Sequence, residues 1–276
     1  MTWSVDVAVA LVVLGFVVGA FGTLVGAGGG FLLTPVLLVL YPHDSPQTIT
    51  AISLVAVFAN ATSGSFAYFR LRRTDYRSGL AFAATALPGS VAGALAVRYV
   101  SRGLFDAIMG AVLAILAVWL WRAAEPRDAN APRPGTPREL VDRFGTRYVY
   151  VVPLRRGAAA SAFVGFISSF LGIGGGVIHV PLLVRLLGFP VHVATATSHF
   201  VLAILAGSAT VTHLFAGSFA HGYGLRRAAA LSVGVVVGAQ LGARASLRAS
   251  GRTIERLLAV ALALLVVRLA LLATVG

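Results

Sequence analysis

Two short runs of this sequence could bind a ligand with backbone atoms alone. They are Gly28, Gly29 and Gly30 within "GAGGG" (26–30), and Gly174, Gly175 and Gly176 within "GIGGG" (172–176). Each interrupts apolar sequence in which a helix would otherwise continue. Each is followed, five residues past its last glycine, by a proline, Pro35 or Pro181. Three consecutive glycines weaken a helix by roughly 1 kcal/mol each relative to alanine. In a bilayer, broken backbone survives only when buried in protein or lining a wet cavity. The half-helix that restarts after such a break offers free N–H groups and a positive dipole end, both of which attract anions. The six glycines are therefore candidate substrate-binding residues, with a packing kink as the plainer alternative. A soluble nucleotide loop is not expected, because there is no GK[ST] and no strand–loop–helix frame.

Polar side chains inside the apolar segments extend the candidate site. Ser53, Asn60 and Gly64 share one helical face, seven and four residues apart. Thr195, Ser198 and Ser208 form a similar stripe, adjoined by Thr197 and His199. Buried amides and hydroxyls can bond an oxyanion without bringing a charge into lipid. Ser53, Asn60, Thr197 and Ser198 are taken as further substrate-binding candidates, against the alternative of interhelical hydrogen bonds. No Asp or Glu falls at the centre of an apolar segment, which leaves no carboxylate to bind a cation there and points to an anion. His179 and His199 are candidates for proton coupling. No histidine pair has metal-ligand spacing on one helix, and neither an HExxH motif nor a paired Asp is present, so no metal, cofactor or catalytic residue is expected.

These residues need a membrane scaffold. Hydrophobic residues make up 58% of the 276, charged residues only 11%, against about a quarter in soluble domains. Apolar segments near 5–25, 30–41, 48–69, 78–100, 103–122, 151–171, 177–188, 192–215, 224–244 and 252–275 predict an all-α, polytopic transmembrane helical bundle. The first 25 residues lack a basic n-region and are read as mature protein. The net charge of +13 comes from arginines lying mostly between apolar segments, which orients a chain in a membrane and does not imply nucleic acid. The expected partners are a small anionic substrate and the lipid bilayer.

The chain also repeats. At an offset of 146, Gly19 falls on Gly165, residues 28–30 on 174–176 and Pro35 on Pro181; at 145, Ser53 falls on Ser198 and Gly89 and Gly93 on Gly234 and Gly238. Two homologous repeats follow, residues 1–122 and 151–276, joined by an Arg/Pro-rich cytoplasmic linker, 123–150. Each carries a Gly-broken helix or re-entrant hairpin. Glycines four apart are read as helix-packing surfaces. Duplicated membrane halves commonly place a transport site at their interface. Arg70, Arg72, Arg73 and Arg77 lie on the same side as the linker, and "YPHDSPQ" (41–47) lies opposite. An inverted arrangement also brings Arg185, Arg244, Arg248, Arg252 and Arg256 to the arginine side, although it leaves Arg226 and Arg227 opposite.

The duplicated GxGGGxxxxP, present as GAGGGFLLTP and GIGGGVIHVP, resembles the TauE/SafE family of membrane permeases, as do "ATATSHF" and "NATSGSFAYFRLRRTDY". The resemblance spans nearly the whole chain. It implies a multi-pass transporter of the cell membrane, moving sulfite, organosulfonates or related organic anions. The aligned partner of Asn60 is Leu205, so any site is asymmetric. The competing reading is a membrane scaffold or assembly partner without transport activity.

Overall fold

The computed structural model describes residues 3–122, 135–219 and 222–275. Helix α1 (Val5–Val25) is capped by Ser4, whose Oγ accepts from the Val7 N–H at 3.3 Å. It ends at Gly26, and α2 (Gly30–Leu40) begins after a short loop. Helix α3 (Pro46–Leu71) starts on a Ser45 cap with proline at its first turn. Helices α4 (Tyr76–Ala96) and α5 (Arg102–Arg122) complete the first half. The second half runs α6 (Leu154–Leu171), α7 (Gly176–Pro181, continued by a π turn to Leu186), α8 (Val191–Phe215), α9 (Gly224–Ala245) and α10 (Gly251–Val275). Six of the described helices are long and apolar enough to cross a membrane. The fold is thus the expected helical membrane bundle.

One element departs from the sequence expectation. Thr136–Val141 (β1) and Arg147–Val152 (β2) form an antiparallel hairpin, with Thr136 opposite Val152, in what was read as the end of the linker and the start of the next span. The stretch "RYVYVV" is aromatic and β-branched, which suits a strand. Tyr150 and Val152 are buried against Phe82, Phe189 and Val193. Arg73, at the end of α3, holds the hairpin through two guanidinium bonds to Asp142 Oδ2 at 2.9 and 3.1 Å. Residues 123–134 of the predicted linker lie outside the described residues.

The helix packing is reciprocal between the halves. Helix α1 lies along α9, and α6 lies along α4; α3 meets α8, and α5 meets α10. The first two pairs run parallel. A Cβ at Gly19 would meet Val235, one at Gly238 would meet Phe16, and one at Gly242 would meet Ala20. Likewise Gly89 abuts Ala162 and Gly93 abuts Phe166. The glycines four apart therefore do bring helix backbones together. Helices α3 and α8 run the other way: Gly64 abuts His199 while Gly207 abuts Phe58. Because the neighbour at Gly238 is backbone (Phe16 O and Ala20 N), Gly238→Val is expected to cost about 1–3 kcal/mol by overpacking. Thermal unfolding in detergent checks this, against an unchanged control at Gly110, which has open space beside it.

The two ends of the bundle differ. At one end Asp44 pairs with Arg227, whose guanidinium stacks 3.7 Å from the Tyr41 ring centroid; Arg102 donates to the Asp44 and Leu38 carbonyls, and Trp3 stacks on Tyr223. At the other lie Arg73, the β-hairpin and the start of α8. The start of α1 and the end of α2 thus reach the same end, and these two helices form a hairpin inside the bundle.

Candidate functional site: two crossed glycine loops

The glycine runs are the tips of two hairpins, α1–α2 and α6–α7, that cross at the centre. Gly26, Gly28 and Gly29 have φ of 79, 72 and 80°; Gly172, Gly174 and Gly175 have φ of 68, 73 and 53°. That left-handed region strongly disfavours a side chain. Positions one, three and four of GxGGG are thus fixed by backbone conformation. The fifth is fixed by contact: a Cβ on Gly30 would sit 2.6 Å from the Ile173 carbonyl oxygen, and one on Gly176 would sit 2.6 Å from that of Gly26.

The hydrogen bonds across the crossing are exchanged between the halves. Ser53 Oγ donates to the Gly172 carbonyl at 2.7 Å, and Ser198 Oγ donates to the Gly26 carbonyl at 3.3 Å. Thr34 adds a bond to Gly172 O at 2.8 Å. These satisfy the carbonyls left over where α1 and α6 end. Gly28 and Gly174 both face the Val57–Leu202 pair, which plugs the space between the loops.

A small cavity lies beside the crossing, lined by Ser161, Gly175, Gly176, His179 and Ser198, with Ala86 and Val164 among its apolar walls. Its volume is about 10 Å³, near the space of one water. His179 Nε2 and Ser161 Oγ are 3.3 Å apart, and the Phe82 ring meets the imidazole edge-on at a centroid distance of 5.9 Å. No carboxylate lines the cavity.

The remaining candidates sit elsewhere. Asn60 Oδ1 accepts from Thr23 Oγ1 at 3.1 Å, and Thr23 Oγ1 lies 3.3 Å from His199 Nε2. Tyr68 donates to the Thr23 carbonyl at 2.8 Å, which completes a buried cluster joining α1, α3 and α8. Thr197 accepts from the Asp75 backbone N–H at 3.0 Å and anchors the α3–α4 loop. Asp75 also caps α4 through Ser78 and accepts from Tyr150 Oη at 3.0 Å. Burial and the Asp75 carboxylate hold the Tyr150 phenol above its usual pKa, so it remains a donor. The sequence reading missed Ser161 and Thr23 as polar partners. Both are small residues that align at the 146-residue offset, Ser161 on Gly15 and Thr23 on Ser169, and that was the available signal.

With this geometry, the likeness to known proteins is specific. The family model described as "Sulfite exporter TauE/SafE" matches residues 11–269. The chain belongs to the TauE/SafE family. Among curated TauE/SafE-like relatives, the "Probable membrane transporter protein YunE" of Bacillus subtilis is 33% identical over 215 residues, covering 76% of this chain and 79% of that protein. The "Probable membrane transporter protein MJ0441" of Methanocaldococcus jannaschii is 24% identical over 220 residues, covering 78% and 75%. No solved structure matches this TauE/SafE chain significantly. It is a multi-pass cell-membrane transporter and not an enzyme.

Proposed function

We propose that this TauE/SafE protein carries small anions, sulfite, organosulfonates or related organic acids, by alternating access at the crossed glycine loops. The observation that carries this reading is the cavity beside the second loop: two backbone glycines at the start of a half-helix, two serine hydroxyls and one imidazole, with no carboxylate. Helices α2 and α7 both begin at the crossing, so their N-terminal N–H groups converge on the middle of the bundle. Gly175, Gly176, Ser161, Ser198 and His179 hold the anion, and Gly28, Gly29, Gly30 and Gly174 shape the loops around it. Ser53, Asn60 and Thr197 act one step away, through Gly172, Thr23 and Asp75.

The halves are inverted repeats. Support comes from the antiparallel α3 and α8, which align on each other in sequence, and from the reciprocal Ser53–Gly172 and Ser198–Gly26 bonds. The hairpin α1–α2 enters from the Asp44 end and α6–α7 from the arginine-rich end, which faces the cytoplasm. Of the arginines at the opposite end, Arg227 pairs with Asp44 and Arg102 with Asp106. A cavity the size of one water admits an anion only if the hairpins move, so this is an occluded arrangement between two open ones.

Ser198→Ala removes the hydroxyl shared by the cavity and the Gly26 carbonyl. Its expected effect is a rise of roughly tenfold in the half-saturating sulfite concentration for flux into proteoliposomes, the worth of one hydrogen bond to a charged group. An unchanged half-saturation in well-inserted protein contradicts the placement of the anion.

A further inference from the structure

Resting on the alternating-access and inverted-repeat reading above, we propose that the ion pair Asp44–Arg227 and the ring pair Phe82–Phe189 are the two gates, one at each end of the bundle, and that the first selects for negative charge.

The repeat relates the two pairs to each other. At the 145-residue offset Asp44 falls on Phe189 and Phe82 falls on Arg227, so each pair is the image of the other with the halves exchanged. The elements agree: α3 starts at Pro46 and α8 at Val191, and Phe82 and Arg227 lie near the starts of α4 and α9. The neighbours agree as well. A Cβ at Gly79 of α4 would lie 3.4 Å from Thr197, and one at Gly224 of α9 would lie 3.8 Å from Ile52. Gly79 aligns with Gly224, and Ile52 with Thr197. Each pair therefore joins the loop that leaves a glycine-broken hairpin to the helix beginning at the same end.

Each pair also stands between its end and the crossing. Phe82 is fully buried; its ring meets Phe189 at 6.3 Å and His179, in the cavity wall, at 5.9 Å. Tyr150 of the β-hairpin backs Phe189 at 4.9 Å. Three rings thus separate the cavity from the arginine-rich end. At the other end Arg227 is 7% exposed, pairs with Asp44 and sits over the Tyr41 ring at 3.7 Å. Arg102 donates to the Asp44 and Leu38 carbonyls and ties this loop to α5. One turn deeper than each gate, on the same helical face, stand Ala86 and Leu231, both fully buried and again equivalent in the repeat.

The chemistry of the gates differs. Parting two phenyl rings uncovers only hydrocarbon. Parting the ion pair leaves a buried guanidinium without its carboxylate, which is strongly unfavourable. Asp44 lies in the loop leaving α2, while Arg227 lies on α9. Movement of the α1–α2 hairpin therefore withdraws the carboxylate and leaves the cation in place. An anion entering at that moment takes the place of Asp44, and a cation is repelled. The open state is favoured by what has the right charge to enter it.

The chain has no cysteine, so one introduced thiol reports alone. The test uses full-length protein carrying Leu231→Cys or Ala86→Cys in sealed membrane vesicles of each orientation. The probes are membrane-impermeant methanethiosulfonates bearing either a sulfonate or a quaternary ammonium, with rates normalised to a small free thiol. Asp44→Asn is expected to speed labelling at Leu231→Cys by about tenfold from the Asp44 end only. Phe189→Ala is expected to speed labelling at Ala86→Cys by about tenfold from the arginine-rich end only. Charge preference supplies a sign. Asp44→Asn leaves Arg227 bare and favours the sulfonate probe at Leu231→Cys; Arg227→Gln opens the same gate but leaves Asp44, and favours the ammonium probe. Unchanged rates in inserted protein overturn the proposal, as does the same preference in both variants. Faster labelling at both thiols from one gate variant also overturns it, because that marks general loosening. If Phe189→Ala does not insert, Phe82→Leu takes its place with the same expectation. The labelling needs no sulfite. Labelling as expected, in protein without sulfite flux, supports the gates and overturns the anion cargo; saturable sulfite flux with unchanged labelling overturns the gates alone.

Discussion

Gly176→Ala and Gly30→Ala are each expected to abolish flux and to lower the unfolding temperature. The reason is local. Each new methyl would sit 2.6 Å from a carbonyl oxygen of the opposite loop; the nearest atoms at Gly176 are all backbone, and at Gly30 the β-branched Val57 side chain lies at 2.6 Å as well. A Cβ on Gly176 also meets the Ala27 Cα at 2.7 Å, and one on Gly30 meets Ile173 C at the same distance. Relief requires the two hairpins to part, which strains the Ser53–Gly172 and Ser198–Gly26 bonds together. Overpacking of this kind costs about 1–3 kcal/mol. Flux is expected to suffer more than stability, because the crossing must also move during the cycle. Labelled sulfite flux and thermal unfolding on the same preparation separate the two effects. Wild-type values of both would show that the loops do not touch as described.

Asp142→Asn is expected to release the β-hairpin from the arginine-rich end. Asp142 is buried, accepts from the Phe144 and Thr146 backbone N–H groups at 2.9 and 3.0 Å, and holds Arg73. Removing one partner leaves a buried guanidinium uncompensated, at a cost of about 3–5 kcal/mol. The expected signs are rapid proteolysis between residues 136 and 152 and a lowered unfolding temperature. Replacing both partners, Arg73→Met with Asp142→Leu, is expected to recover much of the loss. The pH dependence has a definite sign. Burial opposes the Asp142 charge, but Arg73 and the two N–H groups outweigh it and hold the carboxyl below its usual range. A depressed folded pKa means that the contribution is complete above the unfolded value of about 3.9. It fades as pH falls through the lower folded value. Hairpin protection is therefore expected to be flat at neutral pH and to weaken only in strong acid.

Much of this arrangement is legible in the sequence because glycine leaves a double signature. The left-handed turns demand it at 26, 28 and 29 and again at 172, 174 and 175, and close contact demands it at 30 and 176. No other residue type satisfies both, so the motif is conspicuous in each half. Side-chain partners are harder to read. Thr197, Ser198 and His199 are consecutive, yet neighbouring helix positions differ by about 100° in direction. They accordingly reach three different groups: the Asp75 N–H, the Gly26 carbonyl and Thr23. Which of them meets the cavity depends on α4, α6 and the second glycine loop, which supply Ala86, Ser161 and Gly175 to its lining. The β-hairpin was hidden for another reason. Arginine and proline dominate residues 123–147, and the apolar strand face that docks it, Tyr150 and Val152, overlaps the start of the next apolar segment.

Carriage of an anion across the membrane by the crossed loops is open to direct measurement. Uptake of radiolabelled sulfite into proteoliposomes containing the purified wild-type protein tests it most directly. The expected result is saturable uptake that is inhibited by organosulfonates and absent from Gly176→Ala. Protein that inserts and folds yet gives no saturable flux of sulfite, organosulfonates or related organic anions, with either direction of gradient, would contradict it.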